Sequence, residues 1–322
     1  MPDARSRRAF ALRNDRRPKG RRLLPLVALL LLAACGTPPP PAPAPATAPA
    51  AESPIEATEK WRAKHDADYR RDWVSIAGLH PLKPGVNTVG SARSNAIVVE
   101  HVPASLGRFV VIGDKVRFEP AKGVNVVQRD KPVTRPVDFN AGADQLSVGD
   151  VRLVIHMSGT HRSVRVRDPN GPLAKGFLGF SWFPIDLQYR VVGKFIPDAE
   201  PKPLKVPNTL GDDDEYRTEG VVEFQLMGQT LRLRPFTTRP KRFYIVFRDA
   251  SSGQETYETA RFLYADLLDD GTVVLDFNQA YNPPCAFNPY TTCPIPLREN
   301  RLPVKILAGE KAYPVKVEQA GK

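Results

Sequence analysis

The chain has few of the residues and motifs on which most enzyme sites depend. Its 322 residues include only three cysteines and five histidines. The histidines are not spaced like metal ligands, either among themselves or relative to the cysteines. The sequence contains no phosphate-binding loop, no HExxH motif and no dinucleotide-binding glycine fingerprint. Ser181 is not part of a Gly-x-Ser-x-Gly elbow, and no histidine follows His161. We therefore predict no metal and no cofactor, and the sequence assigns no catalytic residue.

The N-terminal apolar run is too short for a comfortable membrane span. LLPLVALLLLAACG, residues 23–36, follows a basic segment and falls short of the roughly 20 residues that a bilayer requires. It ends in Leu-Ala-Ala-Cys, which matches the bacterial lipobox, where the cysteine receives a diacylglyceryl group before cleavage. We predict a lipoprotein signal peptide over residues 1–35, with Cys35 as the lipidated residue. The alternatives are an ordinary secretory signal and, from SRRAFAL at residues 6–12, a twin-arginine signal.

Residues 36–53 are rich in proline and alanine and lack the side chains that could form a core. Such a segment is typical of a semi-rigid tether. A tether directly after a lipidated cysteine is what an anchored soluble domain requires. We therefore expect the protein to lie in the bacterial cell envelope, on the periplasmic or outer-membrane face, with the lipid on Cys35 as its membrane contact.

The basic character of the chain comes mostly from its leader. The whole chain has 46 Lys and Arg against 35 Asp and Glu, but residues 1–35 carry nine of the former and two of the latter. The mature chain would therefore have 37 basic and 33 acidic residues, a net charge of +4. It also lacks a basic stripe interleaved with aromatic residues, so we expect no nucleic-acid partner.

Only Cys285 and Cys293 remain once Cys35 is lipidated. An even number of cysteines in an oxidising compartment favours a disulfide bond. Closing so short a loop would stabilise the fold by about 2.6 kcal/mol. The alternatives are two thiols or a pair of metal ligands.

The mature chain reads as all-β, mainly antiparallel sandwich-like or barrel-like sheets, with one short N-terminal helix. The helix should begin after Ser53, because Pro54 and Glu56 complete a capping box. Short alternating runs follow, with hairpin turns predicted at Gly113-Asp114, Met227-Gly228 and Asp270-Gly271. We divide this part into a helix with a first β unit, residues 54–168, and a second β unit, residues 169–322.

The first β unit resembles a forkhead-associated sandwich. PGVNTVGSARSNAIVV is similar to the opening of that fold, and QLSVGDVRLVI is similar to its late Gly-Asp hairpin. The phosphothreonine-reading Gly-Arg is replaced by Gly90-Ser91, and Ser105-Leu106-Gly107-Arg108 lacks the expected histidine. The resemblance therefore implies the sandwich shape and not phosphopeptide recognition.

The second β unit resembles the bacterial and archaeal family called domain of unknown function 1684. The resemblance is carried by SGQETYETARFL, VLDFNQAYNPPCAFNPYTTCPIP and ENRLPVKILAGEK, and earlier by WFPIDLQYRV and GLHPLKPGVNTVGS. Membership implies a shared architecture. It implies no reaction.

One group of polar residues is a candidate ligand site. A strand period of two puts Asp276 and Asn278 on the face opposite the apolar residues of TVVLDFNQAY. An arginine nearby would either pair with Asp276 to lock two strands or hold an anionic ligand. The candidate residues are Arg261, Asp276, Asn278, Tyr281, Asn282, Glu299 and Asn300.

These observations favour a non-catalytic binding or assembly module of the envelope. Its partner would be a small polar or anionic ligand, or an envelope protein. The alternative is an envelope hydrolase that uses carboxylates near Asp276 and Glu299, which two carboxyl groups about 5 to 9.5 Å apart across an open cleft would support.

Overall fold

The structure is a computed structural model that describes residues 52–318. The predicted lipidation site Cys35 and nearly all of the tether lie outside the described residues. Helix α1 spans Pro54–Tyr69 and continues into one π-helical turn, Arg70–Val74. Its capping box is confirmed, because Ser53 Oγ accepts a hydrogen bond from the Glu56 backbone N–H and the Glu56 carboxylate accepts one from the Ser53 N–H. Within residues 52–318, neither α-helix combines the length and hydropathy that a membrane span needs.

Eleven strands follow in the first part of the chain. Their bounds are β1 (Ile76–Pro81), β2 (Gly85–Gly90), β3 (Ile97–Val98), β4 (Gly107–Ile112), β5 (Lys115–Pro120), β6 (Val127–Gln128), β7 (Lys131–Pro132), β8 (Val137–Asp138), β9 (Gln145–Val148), β10 (Val151–Ser158) and β11 (His161–Arg167). They form a six-stranded sheet in the order β1-β11-β10-β9-β6-β7 and a five-stranded sheet in the order β3-β2-β4-β5-β8. All these pairings are antiparallel except β2 with β3. One apolar core, which includes Phe109, Phe118, Phe139 and Leu153, lies between the two sheets, so this part is a sandwich.

A short helix α2 (Pro172–Lys175) leads to the second part, which has seven strands. They are β12 (Arg190–Pro207), β13 (Asp213–Leu226), β14 (Gln229–Leu233), β15 (Phe236–Arg239), β16 (Arg242–Phe247), β17 (Arg261–Asp266) and β18 (Thr272–Asp276). Their sheet orders are β14-β13-β12-β18 and β15-β16-β17. Single 3-10 turns lie at Leu187–Tyr189, Phe277–Gln279, Pro284–Ala286 and Arg298–Asn300.

The three-stranded sheet is covered on both faces, and this arrangement positions the site. In β16, Phe243, Ile245 and Phe247 belong to the core shared with the four-stranded sheet. The alternate residues Tyr244 and Val246 belong to a second cluster, with Tyr69 of α1 and the proline-rich loop. Because side chains alternate along a strand, one face makes the core and the other faces the helix.

The predicted fold class is confirmed. The described chain is mostly β, in antiparallel sheets, with one N-terminal helix of more than one turn. The predicted turns are also confirmed. Gly113-Asp114 joins β4 to β5, Met227-Gly228 joins β13 to β14, and Asp270-Gly271 precedes β18. The sheets of the two parts share no strand, while the division at residue 168 into two folding units stays a prediction.

Candidate functional site

One face of helix α1 carries a ladder of aromatic rings. Trp61, His65, Tyr69 and Trp73 recur at every fourth position, a spacing that places side chains on the same face of a helix. The His65 ring stacks on Trp61 with centroids 4.9 Å apart and on Tyr69 with centroids 4.5 Å apart. Trp73, in the π-helical turn, continues the ladder 6.0 Å from Tyr69. This ladder is one wall of a cavity of about 700 Å³.

The opposite wall is the outer face of the three-stranded sheet and its neighbours. Strand β16 contributes Arg242 and Tyr244, which alternate with its core residues, and β17 contributes Phe262 and Tyr264. Arg239 at the end of β15 and Tyr216 of β13 complete this side. The Tyr264 ring stacks on Tyr244 with centroids 5.0 Å apart and is 37% exposed. Arg242 lies over the same ring, 5.0 Å from its centroid.

The proline-rich loop closes the third side. Tyr281 joins the helix to the sheet, because its ring lies 4.6 Å from His65 and 5.8 Å from Phe262. Pro284, Thr292 and Pro294 line the same cavity. We call this cavity the aromatic cleft. Its volume is about 700 Å³, whereas four other cavities measure about 280 to 410 Å³.

Burial keeps the titratable rings of the aromatic cleft neutral at physiological pH. It lowers the pKa of His65 to about 4. Burial also raises the pKa of Tyr244 and of Tyr281 well above the usual value of a phenol, and neighbouring tyrosines raise each of them further. The lining therefore has neutral rings at its centre, with its formal charges on flexible side chains.

Arg261, the predicted anchor of the polar site, is completely buried and does not contact Asp276. Its guanidinium Nη1 lies 2.8 Å from Asp249 Oδ2 and also donates to the Ile306 carbonyl at 3.0 Å. Nη2 donates to the Ala308 carbonyl. The expected pairing of Arg261 with Asp276 is thus wrong. The arginine ties β17 to the C-terminal segment instead, because Asp249 and these carbonyls converge on it.

Asp276 faces a second layer, as the strand period predicted. Its Oδ2 accepts a hydrogen bond from Thr58 of α1 at 3.2 Å and lies 3.6 Å from Nε of Arg190, its cross-strand partner. Asn278 is fully buried, and its side chain exchanges two hydrogen bonds with the Asp186 backbone, each 2.9 Å long. Asp276 lines a cavity of about 280 Å³ that shares Trp61, Arg242 and Tyr264 with the aromatic cleft.

Asn282 leads to a residue that the sequence pattern did not single out. Its backbone N–H donates to Glu310 Oε2 at 2.7 Å, and its side-chain amide donates to the Lys311 carbonyl at 2.7 Å. Glu310 is fully buried, and burial raises its pKa to about 8. It lies within the family motif ENRLPVKILAGEK, but the sequence did not single it out, because a carboxylate in a C-terminal loop resembles any surface acid until the fold buries it.

Glu299 and Asn300 are neighbours with different surroundings. Asn300 is completely buried, and its amide donates to the Arg234 and Val246 carbonyls, both at 2.9 Å, while its Oδ1 accepts from the Arg234 N–H at 2.7 Å. The Glu299 side chain is 52% exposed and pairs with Arg234 at 2.7 Å. Glu299 shares no hydrogen-bond or ion-pair partner with Asp276 among the described residues.

Cys285 and Cys293 are buried neighbours, and the predicted disulfide bond is not formed in this structure. The Cys285 backbone N–H donates to Cys293 Sγ at 3.4 Å. Burial raises the pKa of the Cys293 thiol well above its usual value, and a hydrogen bond with the Cys285 side chain raises it further. Within residues 52–318, no cluster of three or more His, Cys, Asp or Glu residues could hold a metal ion.

Of the seven predicted site residues, Tyr281 alone lines the aromatic cleft. The prediction followed polar residues near the proline loop, whereas the cleft consists mainly of rings from three distant segments. One signal was available in the sequence, namely the spacing of four that joins Trp61, His65, Tyr69 and Trp73. The facing residues of β15 to β17 carry no comparable signal, because only the sheet pairing brings them opposite the helix.

Comparisons with known proteins give a family match and several structural likenesses. The family described as "Protein of unknown function (DUF1684)" matches residues 175–311. An uncharacterised protein of Haloarcula marismortui, solved by NMR, is 30% identical, with a TM-score of 0.38, over 45% of this chain and 82% of its own. A comparison with curated proteins gave no match.

Two further structures are also similar in part. The FhaA domain, solved with the intracellular domain of Rv3910, is 15% identical over 27% of this chain and 84% of its own, with a TM-score of 0.20. Mycobacterium tuberculosis EmbR, solved with a low-affinity phosphopeptide, is 16% identical over 35% of this chain and 30% of its own, with a TM-score of 0.21.

The family match, residues 175–311, includes the sheet and loop walls of the aromatic cleft. It begins after α1 and therefore does not include the ring ladder. The motifs that indicated the second β unit's family lie largely within the matched residues. On the matched residues and the 30% identity to the archaeal protein, this chain belongs to the family of proteins of unknown function called DUF1684.

Proposed function

We propose that this protein is a binding module of the bacterial cell envelope, anchored by a lipid on Cys35, and that the aromatic cleft is its ligand site. The observation that carries the proposal is a cleft of about 700 Å³ walled by stacked rings and rimmed by charged side chains. Ligand sites are typically concave, of 300 to 1,000 Å³, and lined by aromatic side chains with a few polar groups. The cleft has each of these properties.

The arrangement of carboxylates favours binding over hydrolysis. A glycosidase-like site needs two carboxyl groups that face each other across a gap. Asp276 lies against Thr58 and Arg190, whereas Glu299 pairs with Arg234 at the surface. Because the two acids are held by different partners, this arrangement supports binding rather than a glycosidase-like pair.

Retention of a native small molecule tests the binding role. The intact lipoprotein would be extracted from its own envelope in mild detergent, and bound small molecules would be identified by mass spectrometry. Tyr264→Ala removes a half-exposed ring of the cleft, and Ile112→Ala removes an exposed apolar side chain of the sandwich as the matched control. We expect one compound to accompany the wild type and Ile112→Ala and to be depleted from Tyr264→Ala. Equal retention by all three proteins, or by none, would count against the cleft as a ligand site.

The envelope location has its own test. Mass spectrometry of the same extract, without reduction, should find an acylated N-terminal cysteine at position 35. It should also find Cys285 and Cys293 joined, since an envelope thiol oxidant would remove two electrons and two protons from these neighbouring thiols. An intact leader, or two alkylatable thiols in protein from the envelope, would contradict this part of the proposal.

A further inference from the structure

The charges around the aromatic cleft are unevenly compensated. Lys64 forms an ion pair with Asp68 one turn along α1. Arg242 pairs with Asp266 at 2.7 Å. Arg239, exposed at the end of β15, makes no ion pair with any residue that the structure describes. The cleft therefore has one cation in its lining, Arg239, whose charge no carboxylate within residues 52–318 balances.

The other groups that line the aromatic cleft do not supply negative charge to balance the charge of Arg239. The Tyr244 and Tyr281 phenols keep their protons at neutral pH, because burial raises the pKa of both. His65 stays neutral because burial lowers its pKa to about 4. Asp68 is the single carboxylate in the lining, and Lys64 and Arg71 already pair with it. A cationic ligand would thus meet a cleft of positive net charge.

The rings provide a flat surface beside this cation. Tyr264 stacks on Tyr244 at an interplanar angle of 27° and lies nearly parallel to Tyr281, at 19°. Arg239 and Tyr264 line the same cleft. Burial raises the pKa of the Tyr264 phenol, and the charges of Arg242 and, to a smaller extent, Arg239 lower it. A planar ring binds such a face by offset stacking, and a guanidinium binds a carboxylate or phosphate through paired hydrogen bonds.

We propose that the aromatic cleft binds small molecules in which a flat ring carries a carboxylate or phosphate, with the ring against Tyr264 and the anion at the Arg239 guanidinium. This inference rests on the proposed binding function and assigns its ligand class. It identifies two contacts with separate roles. The rings determine whether a flat molecule binds, and Arg239 determines which charge it carries.

A panel of matched probes tests the two contacts separately. Naphthalene-2-carboxylate and 2-naphthyl phosphate carry a ring and an anion, 2-naphthalenemethanol carries a neutral ring, and 2-naphthylmethylammonium carries a ring and a cation. Acetate and inorganic phosphate carry the anion alone. Binding to the full-length lipoprotein would be measured by isothermal titration calorimetry, with quenching of tryptophan fluorescence as a second readout because Trp61 and Trp73 line the cleft.

The variants are Arg239→Gln and, as a matched control, Arg135→Gln. Both arginines are exposed, and Arg135 lies between β7 and β8 in the sandwich, away from the cleft. We expect the ring anions to bind at least about tenfold more tightly than the neutral ring, since a hydrogen bond between charged groups contributes that much or more. Arg239→Gln should remove the preference for anions without weakening the binding of 2-naphthalenemethanol. Arg135→Gln should leave the preference for anions intact. The better of the two anions distinguishes a carboxylate ligand from a phosphate ligand.

Each other outcome is decisive. If the alcohol or the ammonium probe binds as well as the carboxylate and the phosphate, the ligand class is wrong while the aromatic cleft remains a binding site. If Arg239→Gln leaves the anion preference unchanged, the assignment of Arg239 is wrong. If no ring-bearing probe binds, the ligand class is overturned together with the ring contact on which it depends. In that case the proposed binding function is decided only by the mass-spectrometric test for a retained native compound.

Discussion

The buried polar cluster around Arg261 and the aromatic cleft differ in how their charges are satisfied. Arg261 has no exposed surface and is surrounded by Asp249 and two backbone carbonyls, so its hydrogen bonds are directed inward. The cleft instead exposes stacked rings and an arginine without an ion-pair partner among the described residues. A polar group that the fold satisfies holds strands together, whereas one that it leaves available can bind a ligand. Polarity alone does not distinguish these two situations.

The largest effect that tests this comparison is expected from Arg261→Met. The substitution removes the charge and leaves Asp249 buried without its partner, which typically costs about 3 to 5 kcal/mol. Urea unfolding followed by circular dichroism would measure the loss. Arg242→Gln is the matched control, because its pair with Asp266 is 30% and 60% exposed and should contribute less than about 1 kcal/mol. Similar losses of stability in both variants would show that the buried Arg261 cluster does not hold β17 to the C-terminal segment.

A smaller effect is expected from the pH dependence of Glu310. Burial raises the pKa of Glu310 in the folded state to about 8, from its ordinary value of 4.5, so the folded state holds a proton that the unfolded state has already released. Stability from this group is present below pH 4.5 and is lost as the pH rises through 8. Between pH 6.5 and 8 the free energy of unfolding should fall with a slope of about 1.4 kcal/mol per pH unit at first, and with half that slope at pH 8, where half of the folded molecules have lost the proton.

Glu310→Gln retains an acceptor for the Asn282 N–H and removes the proton, so its stability should depend less on pH over the same interval. Urea titrations at pH 6.5, 7.25 and 8 would measure both slopes. His65 and His156, whose pKa values burial lowers to about 4, contribute an opposing slope that is strongest below pH 6.5. Both proteins carry these histidines, so the difference between the two slopes isolates Glu310. Identical slopes in the two proteins would mean that Glu310 is ionised in the fold.

The smallest difference in stability is expected between variants of two adjacent residues. Asn300→Ala leaves the Arg234 N–H and two buried carbonyls without their partner, which we expect to cost about 2 kcal/mol. Glu299→Gln removes an exposed ion pair and should cost under about 1 kcal/mol. Thermal unfolding of both variants would resolve the difference. A larger loss for Glu299→Gln would mean that the exposed ion pair with Arg234, and not the buried amide of Asn300, holds this segment.

Local features of the fold were predictable because short-range rules decide them. Ser53 and Glu56 complete a capping box whatever surrounds them, and Met227-Gly228 forms its turn because both residues adopt positive φ angles of 50° and 73°. The alternation of β18 correctly put Asp276 on the face opposite the core residues of the strand, where it accepts a hydrogen bond from Thr58, whereas Asn278 lies in the 3-10 turn after the strand. The partner of Arg261 was not predictable, because Asp249 and Asp276 are equally near in sequence terms and differ in which loop folds back onto β17.

The sequence by itself determined the β class, the first helix and its cap, the hairpin turns and the family, since periodicity, turn chemistry and motif spacing are local. Only the tertiary structure decided which polar residues are enclosed and which side chains form the cleft. The reason is physical, because burial depends on segments far apart in the chain. Residues 61–73 meet strands β15 to β17 and the loop after Tyr281 only when the three-stranded sheet packs its second face against α1.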